Sequence, residues 1–275
     1  MVNTPRLAKL RASTAWLHRA CGLAVALAVT IGAAGAATPL MIWPVDPVIT
    51  EEQPAVAVWL ENRGTAPASL QVRVLDWTQT EGEEIFSSQK DVVASPPISV
   101  VPAGKRQMVR LIATRRPPAG LEEAYRVVID ELPAPEDAQQ KPQGADTGLG
   151  ICLNVRYAIP LFVYGEGAQP FRPTKPLLGG GKGKPLPPSL TWTTTKQGNR
   201  YHLVVRNQGA GHARLTAVQW NAGPRGAVSI NEGLMGYVLP GSQMHWELEA
   251  APPAAPELKA TINGVEALVP RAAAQ

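Results

Sequence analysis

Ala55-Val-Ala-Val-Trp-Leu-Glu-Asn-Arg-Gly-Thr-Ala-Pro-Ala-Ser-Leu-Gln-Val-Arg-Val74 decides the class of fold. Val56, Val58 and Leu60 recur at every second position, the turn Glu61-Asn-Arg-Gly64 interrupts them, and Leu70, Val72 and Val74 resume the alternation. Side chains with a period of two share one face of a β-strand, whereas a helical face needs a period of 3.6. The stretch therefore predicts two strands, joined as a hairpin or as a pair that crosses between sheets.

The same pattern extends in both directions. Met108-Val-Arg-Leu-Ile112 and Tyr125-Arg-Val-Val-Ile129 continue it. It breaks near Gly165-Glu-Gly167 and through the Pro-, Gly- and Lys-rich stretch from Pro170 to Pro188, then resumes at Ser189-Leu-Thr-Trp192 and Tyr201-His-Leu-Val-Val205. His212 to Val218, Met244-His-Trp-Glu-Leu248, and the pair Lys259 to Ile262 and Glu266 to Val269 follow, the last two flanking Asn263-Gly264, a strong hairpin signal. No capped amphipathic stretch of ten or more residues occurs, and 27 prolines and 25 glycines supply many turns. The expected fold is all-β, with two β-sandwich domains in series: residues 37–165, a linker and loop over 166–188, and residues 189–275.

The N-terminus predicts export. Arg6, Lys9, Arg11 and Arg19 precede the apolar run from Gly22 to Ile31, and small residues follow, with Ala34-Gly-Ala36 as a cleavage site. The run is shorter than the ~20 apolar residues of a membrane span, so residues 1–36 read as a signal peptide cleaved near Ala36, which places the mature chain in the periplasm with no membrane insertion. The whole sequence has 26 Lys+Arg against 22 Asp+Glu. Losing four basic residues with the signal leaves the remainder balanced, which argues against nucleic acid as a partner. Of the two cysteines, Cys21 leaves with the signal, so Cys152 has no internal disulfide partner; it reads as a small apolar residue.

Candidate chemistry is sparse. His202, His212 and His245 are widely spaced and lack a ligand cluster, so no metal is expected, and no other cofactor. Gly179-Gly-Gly-Lys-Gly-Lys184 lacks the ending, the strand and the helix of a phosphate loop. No nucleophile elbow occurs. Glu51-Glu52, Glu83-Glu84 and Glu122-Glu123 read as solvated loop charges. The protein is not expected to be an enzyme.

From Gly148 to Tyr164 the chain reads Gly-Leu-Gly-Ile-Cys-Leu-Asn-Val-Arg-Tyr-Ala-Ile-Pro-Leu-Phe-Val-Tyr, with Ile151, Leu153, Val155, Tyr157 and Ile159 on one face. This long strand ends the first domain, at a position where its backbone could lie on a sheet edge open to another chain.

Residues 40 to about 250 carry a set of short motifs in order: Asn62-Arg-Gly64, Trp77-Thr-Gln79 with Gly82, Ser95-Pro-Pro97, Pro102-Ala-Gly104 with Gln107 and Arg110, and Tyr125-Arg126 with Glu131-Leu-Pro133. Arg156 to Val163, Asn207 to Ala213 and Gly236-Tyr-Val-Leu-Pro-Gly241 complete it. In this the chain resembles the periplasmic pilus-assembly chaperones of the chaperone-usher pathway (PapD-like), and more closely their archaic, Csu-type branch. The resemblance implies two immunoglobulin-like domains set at an angle like a boomerang. It also implies a donor strand near 149–163, lent to a pilus subunit that lacks its own last strand and is then delivered to an outer-membrane usher. Ile151, Leu153 and Val155 would be the main donor residues, with Tyr157 and Ile159 nearer the domain cleft. Unliganded, such a chaperone could self-associate. In the better-known branch an Arg and a Lys hold the subunit's terminal carboxylate, but here Asp46 and Pro160 stand at the matching positions, which leaves Arg156 and Arg126 as candidate anchors. Two rivals remain on the residues alone: a secreted immunoglobulin-like pilus component or adhesin, and a β-sandwich hydrolase or carbohydrate-binding protein.

Overall fold

The computed structural model describes residues 39–133, 155–172, 183–221 and 226–273. The described residues form strands and turns without a helix. The export signal, Cys152 and the donor positions Ile151 and Leu153 lie outside them.

The first sandwich packs two sheets face to face. One orders β1 (Leu40–Trp43), β3 (Ala55–Asn62), β8 (Arg106–Ala113) and β6 (Val92–Ser95) as β1-β3-β8-β6. The other orders β2 (Val48–Ile49), β10 (Arg156–Tyr164), β9 (Glu122–Leu132), β4 (Ala68–Thr80) and β5 (Glu83–Ser88) as β2-β10-β9-β4-β5, with β7 (Ile98–Val101) also on β4. β3 and β4 thus lie in different sheets, so the link between the two opening strands crosses the sandwich and is not a hairpin. Inward residues of both sheets, among them Val58, Leu60, Leu70, Val72, Leu111, Val127 and Ile129, make the core. β1 and β2 are likewise divided between the sheets: Pro44 and Pro47 between them lack the N–H that one continuous ladder would need.

The second sandwich repeats the scheme with β13 (Leu190–Gln197), β14 (Arg200–Asn207) and β17 (Gln243–Leu248) ordered β13-β14-β17. Facing them, β15 (Ala213–Asn221), β16 (Ala227–Val238), β18 (Glu257–Ile262) and β19 (Val265–Val269) run β16-β15-β18-β19. Trp192, Leu203, Val205, Leu215, Trp220 and Leu258 are central to its core. β18 and β19 form the hairpin that Asn263-Gly264 predicts, with Ile262 opposite Val265 and both turn residues at positive φ (49° and 89°). Within the stretch read as linker, β11 (Ala168–Pro170) and β12 (Lys184–Leu186) pair in parallel.

A third apolar cluster joins the sandwiches. Trp77, Ala124, Phe162 and Tyr164 from the first pack with Ala168, Leu186, Tyr237 and Leu239. The Trp77 and Tyr237 rings meet at 82° with 5.5 Å between centroids, a favourable T-shaped contact. Gln79 is buried there, donating to the Tyr237 carbonyl (2.9 Å) and accepting from Leu239 N–H (2.8 Å). Gly82 has φ 89°, and a Cβ on it would run into the His245 ring.

Candidate functional site

β10 presents two faces. Tyr157, Ile159, Leu161 and Val163 pack with the first core. Ala158, Pro160, Phe162 and Tyr164 line a cleft of about 520 Å³ that also takes in Asp46, Arg126 and, from the second sandwich, His212, Arg214 and Tyr237. This division follows from the period of two: a strand covered by packed bodies on both sides has apolar residues on both faces.

One edge of β10 is open over most of its length among the described residues. β9 pairs with the strand along its length, from Arg156 opposite Asp130 to Tyr164 opposite Glu122. On the other side β2 covers only Phe162 and Val163, so from Arg156 to Leu161 that edge has no strand partner among the described residues. Among the described residues the sequence expectation of an edge strand therefore holds from Arg156 to Leu161 and not at Phe162 and Val163, where the short β2 closes the ladder.

The site residues named from sequence divide by place. Val155 immediately precedes β10, and its carbonyl accepts from Glu131 N–H at 3.2 Å. Tyr157 is half-buried, its hydroxyl accepting from Leu40 N–H at 3.4 Å, and Ile159 is buried in the core. Arg156 lies away from the cleft lining: its Nε donates to Asp130 at 2.5 Å, and Arg73 holds the same carboxylate at 2.6 Å. Arg126 is in the cleft. Its guanidinium sits 3.8 Å from the centre of the Trp77 ring and pairs with Glu84 at 3.0 Å. Burial lowers its pKa, with Glu84 opposing, yet an arginine remains charged.

Sequence reasoning missed the contribution of the second sandwich. The His212 ring lies flat on Phe162, with centroids 3.5 Å and planes 4° apart. Its Nδ1 meets both oxygens of Glu122 at 2.9 and 3.0 Å, and its backbone N–H donates to Glu122 Oε1 at 3.0 Å. The Glu122 side chain is only 1% exposed, which corrects its reading as a solvated loop charge: a buried carboxylate needs such partners. His212 stands inside a motif quoted above, but nothing nearby in the chain points to Glu122. Tyr237 is pushed above the usual phenol range by burial, with Arg214 pulling the other way. With Arg126, Arg172 and Arg214 around it and Asp46 as an acid on the wall, the cleft has the chemistry to hold an anion beside a sheet edge.

These features define a protein of two immunoglobulin-like sandwiches whose first domain ends on a long strand with six residues of one edge, Arg156 to Leu161, unpaired among the described residues. Residues 42–168 match the model of the pili and flagellar-assembly chaperone PapD N-terminal domain. The fold is similar to that in the pre-assembly complex of chaperone and tip adhesion subunit, CsuC and CsuE, from the archaic chaperone-usher Csu pili of Acinetobacter baumannii, at 27% identity and a TM-score of 0.65, covering 86% of this chain and 100% of that one. It is also similar to the chaperone YadV (18% identity, TM-score 0.57, covering 84% and 98%). A third likeness is to the Salmonella enterica SafA pilin complex with the SafB chaperone (14%, 0.55, 86% and 97%); these last two are likenesses of fold. No curated protein matches. Residues 42–168 thus match the N-terminal domain of the pilus-assembly chaperones, and the described chain carries a two-sandwich fold similar to that of the chaperone-usher chaperones.

Proposed function

We propose that this protein is a periplasmic chaperone that holds pilus subunits by lending them the strand of residues 151–159, and then delivers them to an outer-membrane usher without cofactor or catalysis. The observation that carries this reading is the unpaired edge of β10 in a domain that matches the pilus-assembly chaperones. An open ladder adds a strand to a partner's sheet, and alternate side chains fill the partner's pockets. Ile151, Leu153 and Val155 are the proposed donors; burying each contributes roughly 1.5 to 3 kcal/mol, enough in sum to offset much of the cost of association. Tyr157 and Ile159 hold the root of the strand in the first core. Arg126 is the proposed contact for the subunit's terminal carboxylate, because it lines the cleft whereas Arg156 is engaged by Asp130. Residues 1–36 are the proposed export signal, cleaved near Ala36.

Co-expression with a pilus subunit of the same organism tests the reading. Changing Leu153 and Val155 to Asp is expected to leave the subunit insoluble or degraded in the periplasm. A subunit that stays equally soluble with the double variant refutes strand lending.

A further inference from the structure

The open edge of β10 has a built-in end. Phe162 N–H donates outward to the Pro47 carbonyl at 3.4 Å, whereas the Val155 carbonyl accepts from Glu131 on the β9 side. Backbone groups alternate sides along a strand, so residues in step with Phe162 turn theirs to the open edge: Arg156, Ala158 and Pro160. Arg156 and Ala158 each offer a donor and an acceptor there. Pro160 offers a carbonyl and no N–H, and at the next outward position β2 already occupies Phe162. Two consecutive outward positions therefore refuse an added strand.

From this, and resting on the strand-lending reading above, we propose that Pro160 is the register-determining residue of the donor strand. A subunit strand pairs along Arg156 and Ala158 and must end or leave the sheet at Pro160, because its next carbonyl finds no donor. It cannot slide toward Phe162, since a slip of two residues, the smallest that keeps side chains on their own faces, would set a carbonyl against the proline ring. Pro160 lies at the cleft wall, directly opposite Arg126 on β9, so the strand ends where a guanidinium is at hand. The position at which the resemblance expects a lysine is thus occupied by a residue that fixes register through the backbone, without charge.

The test uses the full chaperone co-expressed with a pilus subunit of the same organism, with Ala158→Cys in the chaperone and single cysteines along the subunit strand. In the otherwise unchanged chaperone one subunit position is expected to dominate the disulfide cross-link. Pro160→Ala and Pro160→Val restore the N–H, and Val keeps most of the buried volume. Either is expected to spread the cross-link to a second subunit position two residues away. Amide exchange of the complex without any substitution gives a second reading: Ala158 N–H is expected to slow about tenfold on subunit binding while Phe162 N–H is unchanged. An unaltered single cross-link in the folded Pro160 variants, or new protection at Phe162, overturns the role of Pro160 and leaves strand lending intact. No cross-link at any subunit position in the chaperone with Pro160 in place overturns strand lending itself.

Discussion

Asn62 and Asn207 do the same work in successive sandwiches. Asn62 Nδ2 donates to the carbonyls of Ala66 (2.8 Å) and Val101 (2.9 Å), and its Oδ1 accepts from Gly64 N–H (2.8 Å). Asn207 Nδ2 donates to Gly211 (2.8 Å) and Val238 (3.0 Å), and its Oδ1 accepts from Gly209 (2.9 Å) and from Ser189 (3.0 Å). Each closes a strand, each is fully buried, and each is bonded from its own N–H to a turn that contains a glycine at positive φ, Gly104 or Gly241. Replacing either with Ala leaves two carbonyls without the amide donor, and one N–H at Asn62 or two at Asn207 without the acceptor, at a cost of about 1 to 3 kcal/mol for the groups left unpaired. Chemical denaturation of Asn62→Ala and Asn207→Ala is expected to show losses of similar size. A loss for one and none for the other would mean that the two corners are not equivalent.

The inner strands were legible in the sequence because burial on one face imposes alternation, as in Val56, Val58 and Leu60 or Leu203 and Val205. The outer ones were not. β5 (Glu83–Ser88) is exposed throughout, and β16 is exposed over half its length, so both owe their form largely to backbone pairing with β4 and β15, which leaves no clear pattern of side chains. The motifs Asn62-Arg-Gly64 and Asn207-Gln-Gly209 stood in plain view, but their equivalence depends on carbonyls 39 and 31 residues away. The cleft was the least legible, because packing of the two sandwiches brings Glu122 to His212 across 90 residues and Gln79 to Tyr237 across 158. Local sequence has no means of recording such pairs.

The joint between the sandwiches gives the next prediction. Glu122 is buried and bonded by the ring and the backbone N–H of His212, and the ring is stacked on Phe162. His212→Ala removes the ring partner and leaves the carboxylate with less than its burial requires. The expected loss is about 2 kcal/mol, and Glu122→Gln together with His212→Ala should recover part of it, because a neutral amide is cheaper to bury than a charge. A double variant no more stable than His212→Ala alone would contradict a charge-driven joint.

Gln79 tests the same joint without charge. Its amide satisfies the Tyr237 carbonyl and Leu239 N–H at once, so Gln79→Ala leaves one buried acceptor and one buried donor unpaired. A loss of about 1 to 3 kcal/mol is expected, with the two sandwiches unfolding in separate transitions where the parent unfolds in one. Probes placed in each sandwich, Trp59 in the first and Trp220 in the second, would distinguish these outcomes.

Acid sensitivity should be traceable to Asp130. Burial pushes its carboxyl up, but hydrogen bonds from Arg156 and Arg73 outweigh that and hold it below the usual carboxylate range. A carboxylate depressed in the folded state stabilises the fold above its unfolded value of ~3.9, and that contribution is lost as the pH falls through the folded value. Asp130→Asn is therefore expected to be about 0.5 to 1 kcal/mol less stable than the parent at pH 7, the modest size reflecting solvent around both arginines. The difference should shrink as the pH falls below ~3.9 and vanish once the carboxyl is protonated in the folded state as well. A difference independent of pH would show that Asp130 contributes through shape and not through charge.

Arg126 and Arg156 separate the two ways in which this chain could hold a carboxylate without the lysine that the resemblance expects. Arg156 is committed to Asp130, at the end of β10 away from Tyr164, and its loss should cost the fold a surface ion pair and the client little. Arg126 faces the cleft, stacked on Trp77 and only 13% exposed at its side chain, so its charge acts where water screens it least. Arg126→Gln is expected to weaken subunit binding by roughly tenfold, the equivalent of one charge-assisted hydrogen bond, and Arg126→Lys by less. Arg156→Ala should change binding less than about threefold. The cation–π contact makes Arg126→Gln also cost about 1 to 2 kcal/mol of stability, so affinity must be compared at a temperature where both variants are fully folded. If Arg126→Gln binds as the parent does and Arg156→Ala does not, the carboxylate lies at the Asp130 end of the strand, and the subunit runs along β10 in the opposite direction from the one that ends at Pro160.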